Sequence, residues 1–582
     1  MSCSFKKYTQ LDYELPKKTL SWNMYGAGTE NIGRDGKPEE EEIGEPRADQ
    51  LLVRVDAVGL CYSDVKLIKL GKDHPKLYGR NLSTNPTRVG HEASLTVIKV
   101  GKDLRDTYFP GQRLALQPDI YKNQISTAYG YTIPGGLTQY HLMGPEVLDA
   151  DHGAYVIQAK GDIGYAAAAL TEPWACVDAA YTQRRRLAPK MGGVMWIIGN
   201  GSDASAYTFS TYLQHPKKIY LSNTTESFQQ YIQDHKAENV QIILTQPMKP
   251  EDYAAFSESA TGGDGFDDIV MLAPLSALAV AEAAKQIAFR GLMNIVSGKA
   301  LKEKVAIDAG RIHYHYTTYV GTNKTEIASA YGEERNRCAL RENGTALFVG
   351  AGGPMGQMHV QRAVEKKGGP GTIVATDISA GRLAVLEEII APLAEANGVT
   401  FIPFNPAAAD IDLQDFLEQE TGSAVVDDVV VCVPAAKLME DSAMLLKPDG
   451  MLVFFAGVPN GTSIQVNMNP VFLGNLQLTG TSGSTLRDQE VIIEKTVSKE
   501  MDPNRSVAAI GGLEAARDGI DAMMAAEFAG KILIFPQISG LPLIGLKDLK
   551  EKYPTIGDKL GPNNLWTVEA EQALIQKFWC GV

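Results

Sequence analysis

The sequence predicts an α/β protein in which a β-rich first domain precedes two tandem doubly wound parallel-sheet domains. Residues 1–185 are dominated by short β-rich runs that end in glycine. After Met191, apolar strands alternate with amphipathic helices, which is typical of βαβ units on a parallel sheet. Landmarks in this second part occur twice at a nearly constant spacing, which indicates a duplication.

The composition describes an acidic globular chain. Its 582 residues are 44% hydrophobic and 21% charged, with a formal net charge of −14. This length predicts several domains, since single cores rarely grow beyond about 250–300 residues. An acidic surface repels phosphate backbones, so nucleic acid and anionic membranes are not expected partners. No apolar run approaches the roughly 20 residues of a membrane span, and the first residues lack a secretory signal pattern.

Cysteine usage favours a reduced protein. The cysteines are scattered without short-spaced pairs, so we expect no disulfide framework and a cytoplasmic location. They are Cys3, Cys61, Cys176, Cys338, Cys432 and Cys580.

The first domain begins with strands. Leu51–Gly59 and Ala93–Gly101 are β-rich runs that end in glycine. Residues 28–48 hold many Glu, Gly and Pro residues and predict an exposed loop. An alanine-rich stretch within 161–180 predicts a helix that leaves this domain.

Four pairs of landmarks define the internal repeat. Their offsets are 151, 160, 159 and 159 residues, and unrelated glycine-rich strand ends would not keep such a spacing. The pairs are Gly199 with Gly350, Thr261-Gly and the following Asp267-Asp268 with Thr421-Gly and the following Asp427-Asp428, Ser297-Gly with Ala456-Gly, and Val320-Gly-Thr with Thr479-Gly-Thr. We expect a first domain at 1–188, duplicated domains at 189–343 and 344–505, and a return to the first domain at 506–582.

The second copy carries a loop suited to a dinucleotide. Glycines let the backbone approach a pyrophosphate, and the helix that follows supplies free N–H groups. Asp377 ends the next strand, where it can accept hydrogen bonds from both ribose hydroxyls and repel a 2′-phosphate, which favours NAD over NADP. The spacing departs by one residue from G-x-G-x-x-G, and a tight turn without a ligand is the alternative. The expected binding residues are Gly350, Gly352, Gly353, Pro354, Met355, Gly356 and Asp377.

The first copy has a weaker loop. After Gly199 and Gly201 it lacks further glycines, and Asp203 would place a negative charge beside a pyrophosphate. Its second strand ends at Asn223 rather than at an acid. We expect this copy to serve as a scaffold, an interface or a substrate wall.

The first domain also holds a candidate zinc site. Cys61, His91, Glu92 and Glu172 offer thiolate, imidazole and carboxylate, which are the ligand types of zinc. Asp64 can orient a ligand from behind. Taken alone, each residue also has a purely structural explanation, such as a buried thiol or a surface ion pair.

Together these motifs resemble the zinc-dependent medium-chain alcohol/polyol dehydrogenase superfamily, which joins a GroES-like catalytic domain to a Rossmann domain. The resemblance implies that Cys61 and His91 are zinc ligands and that Glu92 and Glu172 bind and leave as the site opens. It places Ser63 in a proton relay, so the expected catalytic residues are Cys61, Ser63, His91 and Glu92. No cysteine lies between Cys61 and Cys176, so we expect one catalytic zinc and no structural zinc.

Within the superfamily the sequence is most similar to sorbose-1-phosphate reductase-like and polyol dehydrogenases. The resemblance implies hydride transfer between NAD(H) and a secondary alcohol or ketone of a polyol, sugar or sugar phosphate, in a homo-oligomer. A threonine-type amino-alcohol dehydrogenase and a non-catalytic nucleotide-sensing or assembly protein are the alternatives. Five residues are either substrate contacts or ordinary surface and packing residues: Tyr62, Lys66, Arg80, Trp174 and Tyr319.

Overall fold

The computed structural model describes residues 3–580, which form two compact units. The first unit contains the residues up to Asp178 and those from Gly483 onward, and the second is Ala179–Ser482. The predicted domain 189–343 lies within the second unit, whereas the predicted domain 344–505 lies in it only up to Ser482, and its residues 483–505 belong to the first unit. The boundaries at 188, 343 and 505 remain predictions.

The first unit begins with a helix and a series of strands. Its N-terminal elements are α1 (Cys3–Gln10), β1 (Lys18–Ser21), β2 (Glu39–Glu42), β3 (Leu51–Gly59), α2 (Tyr62–Leu70), β4 (Glu92–Val100), β5 (Arg113–Leu116), β6 (Tyr121–Lys122), β7 (Ile125–Ser126), β8 (Tyr140–Met143), α3 (Pro145–Leu148), β9 (Val156–Gln158) and α4 (Tyr165–Ala179). The helix expected in the alanine-rich stretch is therefore present.

Residues 28–48 differ from the expected exposed loop. Glu39–Glu42 forms β2, which pairs antiparallel with β1. The carboxylate of Glu41 accepts hydrogen bonds from Ser21 and Asn23, so the glutamates that predicted solvent exposure partly face polar partners on the sheet. The expectation of a loop throughout this stretch was wrong.

The second unit contains both copies. The elements of the first copy are β10 (Val194–Ile198), β11 (Lys218–Ser222), α5 (Glu226–His235), β12 (Gln241–Leu244), α6 (Tyr253–Thr261), β13 (Phe266–Leu272), α7 (Ala277–Lys285), β14 (Ile287–Val296), β15 (Val305–Asp308), α8 (Ala309–Tyr314) and β16 (Thr318–Thr322). Those of the second are β17 (Thr345–Val349), α9 (Pro354–Glu365), β18 (Thr372–Thr376), α10 (Ala380–Asn397), β19 (Thr400–Phe404), α11 (Leu413–Thr421), β20 (Val426–Val431), α12 (Ala436–Ser442), β21 (Leu446–Phe454), β22 (Ser463–Val466), α13 (Asn469–Leu473) and β23 (Gln477–Thr479).

One 12-stranded sheet runs through both copies. The order β12-β11-β10-β13-β14-β16 in the first copy and β19-β18-β17-β20-β21-β23 in the second is the doubly wound order, and strands within each copy are parallel. The copies meet where β16 pairs antiparallel with β23, and β15 likewise pairs with β22. Equivalent strands therefore pair with each other, as at a two-fold interface between identical subunits.

The paired aspartates shared by the two copies are structural. Asp268 forms an ion pair with Arg186 at 2.9 Å, and its counterpart Asp428 pairs with Arg337 at 2.6 Å. All but 1% of each aspartate side chain is buried, so removal of the arginine would leave an unpaired charge. These motifs thus maintain the fold of each copy.

The chain then returns to the first unit. Its elements are α14 (Leu486–Val497), β24 (Val507–Gly512), α15 (Ala516–Met524), β25 (Lys531–Phe535), β26 (Ile544–Gly545), α16 (Leu546–Lys552), α17 (Pro554–Gly557) and α18 (Val568–Phe578). The main sheet has the order β26-β24-β25-β3-β4-β5-β9, and β8 pairs with β3. Every residue of the central strand β3 is buried, which makes it a rigid support for the residues at its end.

Among residues 3–580, no helix combines the length and apolar character that crossing a membrane would require.

Candidate metal centre and nucleotide loop

Cys61 is positioned by a helix start. It is the N-cap of α2, and its backbone N–H donates to the Asp64 carboxylate at 2.9 Å in a capping-box arrangement. The other oxygen of Asp64 accepts hydrogen bonds from the Gly90 backbone at 3.2 Å and from Nδ1 of His91 at 3.1 Å. One buried carboxylate therefore ties both predicted ligands together, as expected from the sequence, and leaves Nε2 of His91 available.

Glu92 begins β4 directly opposite Gly59 at the end of β3. A Cβ atom at position 59 would collide with Oε2 of Glu92, so a larger residue there would displace this carboxylate. A Cβ atom at Gly130, which has a φ of +84°, would lie 2.9 Å from the Cβ of His91. These two glycines let the backbone close tightly around the predicted ligands.

Three of the four predicted metal ligands converge. The thiol sulfur of Cys61, a ring nitrogen of His91 and a carboxylate oxygen of Glu92 all lie within 4.8 Å of one another. Ser63 lies at the same place, since its Oγ is 3.0 Å from the Cys61 sulfur and 3.4 Å from Nε2 of His91. The arrangement provides soft and hard donors around one point, as a divalent cation requires.

The carboxylate of Glu92 has one oxygen engaged and one without a hydrogen-bond partner. Oε1 accepts a hydrogen bond from Lys531 at 2.5 Å, in a pair whose side chains are 3% and 0% exposed. Oε2 is buried and has no partner among the described residues. A buried carboxylate oxygen without a donor is costly, and a zinc ion bound at this point would satisfy it. The donor set therefore fits zinc.

Glu172 lies outside this three-residue group but is electrostatically coupled to it. It is in α4, where Cys176 contacts its Oε1 at 3.5 Å. Burial, together with the charges of Glu92 and Asp119, raises the pKa of Glu172 to about 7, against the opposing effect of His91. Its role as a ligand that binds and leaves remains a prediction.

The surroundings favour a positive charge at the centre. Burial lowers the pKa of His91, but the charge and hydrogen bond of Asp64 outweigh it and hold that pKa well above its usual value. Asp64 is itself buried, yet its contact with His91 lowers its pKa. Asp64 thus stabilises a positive charge on the His91 ring, and a metal bound at Nε2 would take the place of the proton there.

The five residues suggested as substrate contacts lie in different environments. Arg80 hydrogen-bonds Asn85, Pro86 and Thr132, so it braces a loop. Trp174 is fully buried, and 3% of Tyr319 is exposed, in strand β16. Arg80, Trp174 and Tyr319 therefore have packing or loop-bracing roles, which were the alternative to substrate binding. Tyr62 and Lys66 are exposed.

Sequence reasoning missed Lys531 and Tyr131. Lys531 opens the apolar strand β25, and a buried lysine in such a strand is a signal for a buried acid, although not for which one. Tyr131 is 7% exposed, and its ring centroid lies 5.8 Å from that of His91. Burial raises the pKa of Tyr131, although His91, Lys76 and a hydrogen bond with Ser63 lower it.

The glycine loop of the second copy leads into a complete helix. Gly350 has a φ of +78°, and its N–H donates to the carbonyl of Thr376 at 2.9 Å. Gly353 is the N-cap of α9, with Pro354 at the first turn. A Cβ at Gly356 would collide with the carbonyl oxygen of Gly350, so the helix can start this close to the strand only with glycine. The predicted strand, loop and helix are all present, with Met355 in the first turn.

Asp377 is next to this loop. One carboxylate oxygen accepts a hydrogen bond from Gly352 N–H at 3.0 Å, and the other accepts from Ser379 N–H at 2.9 Å. A carboxylate has about four acceptor positions, so two remain for ribose hydroxyls. Ile378 follows with 76% of its surface exposed, which offers an apolar surface beside that position.

The first copy lacks these features. Residues 199–217, between β10 and β11, form no helix. Asn200 accepts hydrogen bonds from the N–H groups of Ser202 and Asp203, which closes the loop on itself. The side-chain amide of Asn223 donates a hydrogen bond to the backbone carbonyl of Met248 and accepts one from the N–H of Met248. The space left beside this loop is about 10 Å³, enough for one water molecule at most.

Comparison with known families agrees with this division. The alcohol dehydrogenase GroES-like domain matches residues 47–148, and the zinc-binding dehydrogenase domain matches residues 354–498. The first match covers the strands that carry Cys61, His91 and Glu92. The second begins at α9, in the copy with the complete glycine loop.

Two relatives have sugar phosphates in their names. The chain is 30% identical over 292 residues to mannitol-1-phosphate 5-dehydrogenase of Aliivibrio fischeri, which covers 48% of this chain and 64% of that protein. It is 27% identical over 322 residues to L-sorbose 1-phosphate reductase of Klebsiella pneumoniae, which covers 52% of this chain and 75% of that protein.

A solved structure shares the fold. That of 2R,3R-butanediol dehydrogenase from Bacillus subtilis gives a TM-score of 0.50 at 14% identity, with 89% of this chain and 99% of that chain covered. The two domain matches and the named relatives show that the chain is similar to zinc-binding alcohol and polyol dehydrogenases, and the solved structure shows the shared fold.

Proposed function

We propose that this protein is a zinc-dependent enzyme that transfers a hydride between NAD(H) and a secondary alcohol or ketone of a polyol, sugar or sugar phosphate. The observation that carries the proposal is the convergence of Cys61, His91 and Glu92 within 4.8 Å, in the part of the chain that matches the alcohol dehydrogenase GroES-like domain. The unpartnered Oε2 of Glu92 supports a bound cation. A nucleotide sensor without catalysis has no need of such a centre.

The protein's own residues would position the reactants and move the proton. Bound zinc would supply a Lewis acid that lowers the pKa of the substrate hydroxyl, and NAD would accept the hydride. Cys61, His91 and Glu92 would hold the metal, with Glu172 as an exchanging ligand. Asp64 fixes the ring of His91 through Nδ1. Ser63, whose hydroxyl lies beside both ligands, would take the substrate proton and pass it on.

Assays with a panel of candidate substrates test the proposed reaction class. We expect NAD-linked oxidation of sorbitol, mannitol or their phosphates, which stops after zinc is removed with a chelator and returns when zinc is added. L-threonine serves as the amino-alcohol comparison. Oxidation of threonine alone would assign the enzyme to amino alcohols. Turnover that survives complete zinc removal would contradict the metal-dependent mechanism.

We further propose that the chain binds one NAD, in the second copy. The closed loop and the missing helix of the first copy support this count. Isothermal titration is expected to give one site per chain. Asp377→Ala should weaken NAD by about tenfold, the value of one lost charge-assisted hydrogen bond, and should relax discrimination against NADP.

Asn223→Ala is the matched control, since Asn223 ends the corresponding strand of the first copy. It should leave NAD affinity unchanged. A loss of affinity in Asn223→Ala with none in Asp377→Ala would show that the cofactor was assigned to the wrong copy.

We also propose that the protein is a homo-oligomer and that it is located in the cytoplasm. Because β16 and β23 already pair within the chain, a second chain is not needed to cover these sheet edges. Any oligomer would therefore use other surfaces.

A further inference from the structure

Three consecutive arginines lie near the start of the second compact unit, and the middle one has no acidic partner. Arg184 pairs with Glu333 at 3.1 Å, and Arg186 pairs with Asp268 at 2.9 Å. Within residues 3–580, the contacts of Arg185 include no carboxylate. A guanidinium group stays charged at any pH that a protein tolerates. The charge of Arg185 is therefore not balanced by a neighbouring acid.

Arg185 uses only part of its hydrogen-bonding capacity. Its Nη2 donates to the carbonyl oxygens of Ile312 at 3.0 Å and of Gly480. Its Nε–H is buried and has no acceptor among the described residues. Burial and the charge of Arg290 lower the pKa of Arg185 to about 10, against the opposing effect of Tyr316. The side chain is thus held in place in surroundings that disfavour its charge.

Arg290 brings a second positive charge to the same aromatic ring. The guanidinium carbon of Arg185 lies 5.0 Å from the centroid of the Tyr316 ring, and that of Arg290 lies 4.6 Å from it. Arg290 is exposed, and in the part of the chain that the structure describes its guanidinium contacts only aromatic rings. The hydroxyl of Tyr316 lies 3.1 Å from that of Ser482. Two guanidinium groups without acidic partners therefore meet at one ring.

The second copy has the same turn with its charges balanced. Arg290 and Tyr316 have left-handed backbone conformations, with φ of +56° and +55°. At the offset of 159 residues the second copy has Asp449 and Asn475, with φ of +60° and +57°. There Asn475 donates a hydrogen bond to Asp449 at 2.6 Å, and Arg341 forms an ion pair with the same carboxylate. The turn thus belongs to the fold of both copies, whereas the unbalanced charge is found in the first.

The two arginines lie at an edge of the sheet where ligands bind in related architectures. Gly480, whose carbonyl accepts from Arg185, directly follows β23, and Ser482 lies two residues further on. Strand β23 runs parallel to β21 in the second copy. Ligands of open α/β sheets bind outside the carboxyl ends of such strands. Tyr316 of the first copy therefore lies beside the ligand-binding edge of the second.

We propose that Arg185, Arg290 and Tyr316 form a binding site for a small oxyanion with two negative charges. Two guanidinium groups match a dianion in charge, and their planar forks suit sulfate, phosphate and carboxylate groups. Phe289 is 58% exposed and lies beside Arg290 and Tyr316, where it offers an apolar contact to a larger anion. The site is independent of the metal centre and of the redox reaction, and it gives the first copy a binding role of its own.

Calorimetry with sodium sulfate, sodium phosphate and sodium succinate on the purified protein tests the site at constant ionic strength. Wild type should bind at least one of these dianions. Arg290→Met should weaken that binding by about tenfold or more, because one charge-assisted contact is lost. Arg290→Lys keeps the charge and should retain part of the affinity. Binding of sulfate and phosphate would assign the site to a tetrahedral anion, and binding of succinate alone to a dicarboxylate.

Arg184→Met is the matched control, because Arg184 is adjacent to Arg185 in sequence but already pairs with Glu333. It removes the same charge from the protein and should keep the wild-type affinity. An anion bound at the glycine loop of the second copy would not respond to Arg290→Met. Equal affinity in Arg290→Met and wild type, an equal loss in Arg184→Met, or no binding of any of the three anions would overturn the site.

Thermal unfolding provides a second measurement. A ligand that binds the folded protein raises its unfolding temperature, so sulfate should stabilise wild type more than sodium chloride of equal ionic strength does. Sulfate also stabilises proteins in general, so the site is measured by the difference between Arg184→Met and Arg290→Met. The rise should be smaller in Arg290→Met. A rise of the same size in both variants would contradict the proposal.

Discussion

Cys61→Ser is expected to lower turnover on the order of 10³-fold or more while leaving NAD affinity nearly unchanged. Serine is a poor zinc ligand at neutral pH, because its hydroxyl does not ionise as a thiol does. The loss would remove the charge stabilisation of the substrate oxygen, which is worth several kcal/mol. NAD affinity is preserved because the glycine loop and Asp377 are in the other compact unit.

A control variant and a measurement of zinc content test whether the loss of turnover comes from the loss of zinc. Cys580→Ser changes an exposed cysteine near the end of the chain and should behave as wild type. Zinc content, measured by mass spectrometry after gel filtration, should fall in Cys61→Ser and remain at one ion per chain in Cys580→Ser. Equal turnover in Cys61→Ser and wild type would remove zinc from the mechanism.

Lys531→Met is expected to lower the free energy of unfolding by about 3–5 kcal/mol, the usual cost of breaking one side of a buried ion pair. Lys531 is 3% and Glu92 0% exposed, so neither solvent nor ions can replace the lost partner. The methionine keeps the apolar stem in the strand. The loss therefore reports the unpaired charge of Glu92, and urea denaturation of the zinc-free protein measures it.

The double variant Lys531→Met with Glu92→Gln separates charge from packing. It should recover most of the stability, because no unpaired buried charge remains. Stability as low as that of the single variant would show that Lys531 acts through packing. Burial lowers the pKa of Lys531, but the charges of Glu92 and Cys61 raise it above its usual value. The contribution of Lys531 to stability is therefore intact at neutral pH and is lost as the pH rises to strongly alkaline values.

The sequence was sufficient for those features that local pattern determines. The duplication was visible because glycines and aspartates recur at fixed places in each copy, and the structure assigns these residues to turns and ion pairs. The Cys61, Ser63 and Asp64 segment was readable because a helix start brings the three together within four positions. His91 was predicted as a zinc ligand from its residue type and from the family resemblance, and in the structure Asp64 contacts its ring at Nδ1.

Other features depend on contacts that no local pattern records. Lys531 meets Glu92 across 439 positions of sequence, so only the pairing of β25 with β3 reveals their contact. The joining of both copies into one sheet also escaped prediction, because β16 and β23 read as ordinary strands.

The weakness of the first copy was predicted, although its cause was not. The sequence showed missing glycines and Asn223 in place of an acid. The structure shows in addition that the helix itself is absent after this loop. Without a helix N-terminus, the free N–H groups that would bind a pyrophosphate are missing as well.

X-ray absorption spectroscopy at the zinc edge of the purified protein tests whether Cys61 binds the metal. We expect one sulfur neighbour at about 2.3 Å with nitrogen and oxygen neighbours at about 2.0–2.2 Å, and loss of the sulfur neighbour in Cys61→Ser. A bound zinc with no sulfur neighbour, or a protein that does not retain zinc at all, would contradict it.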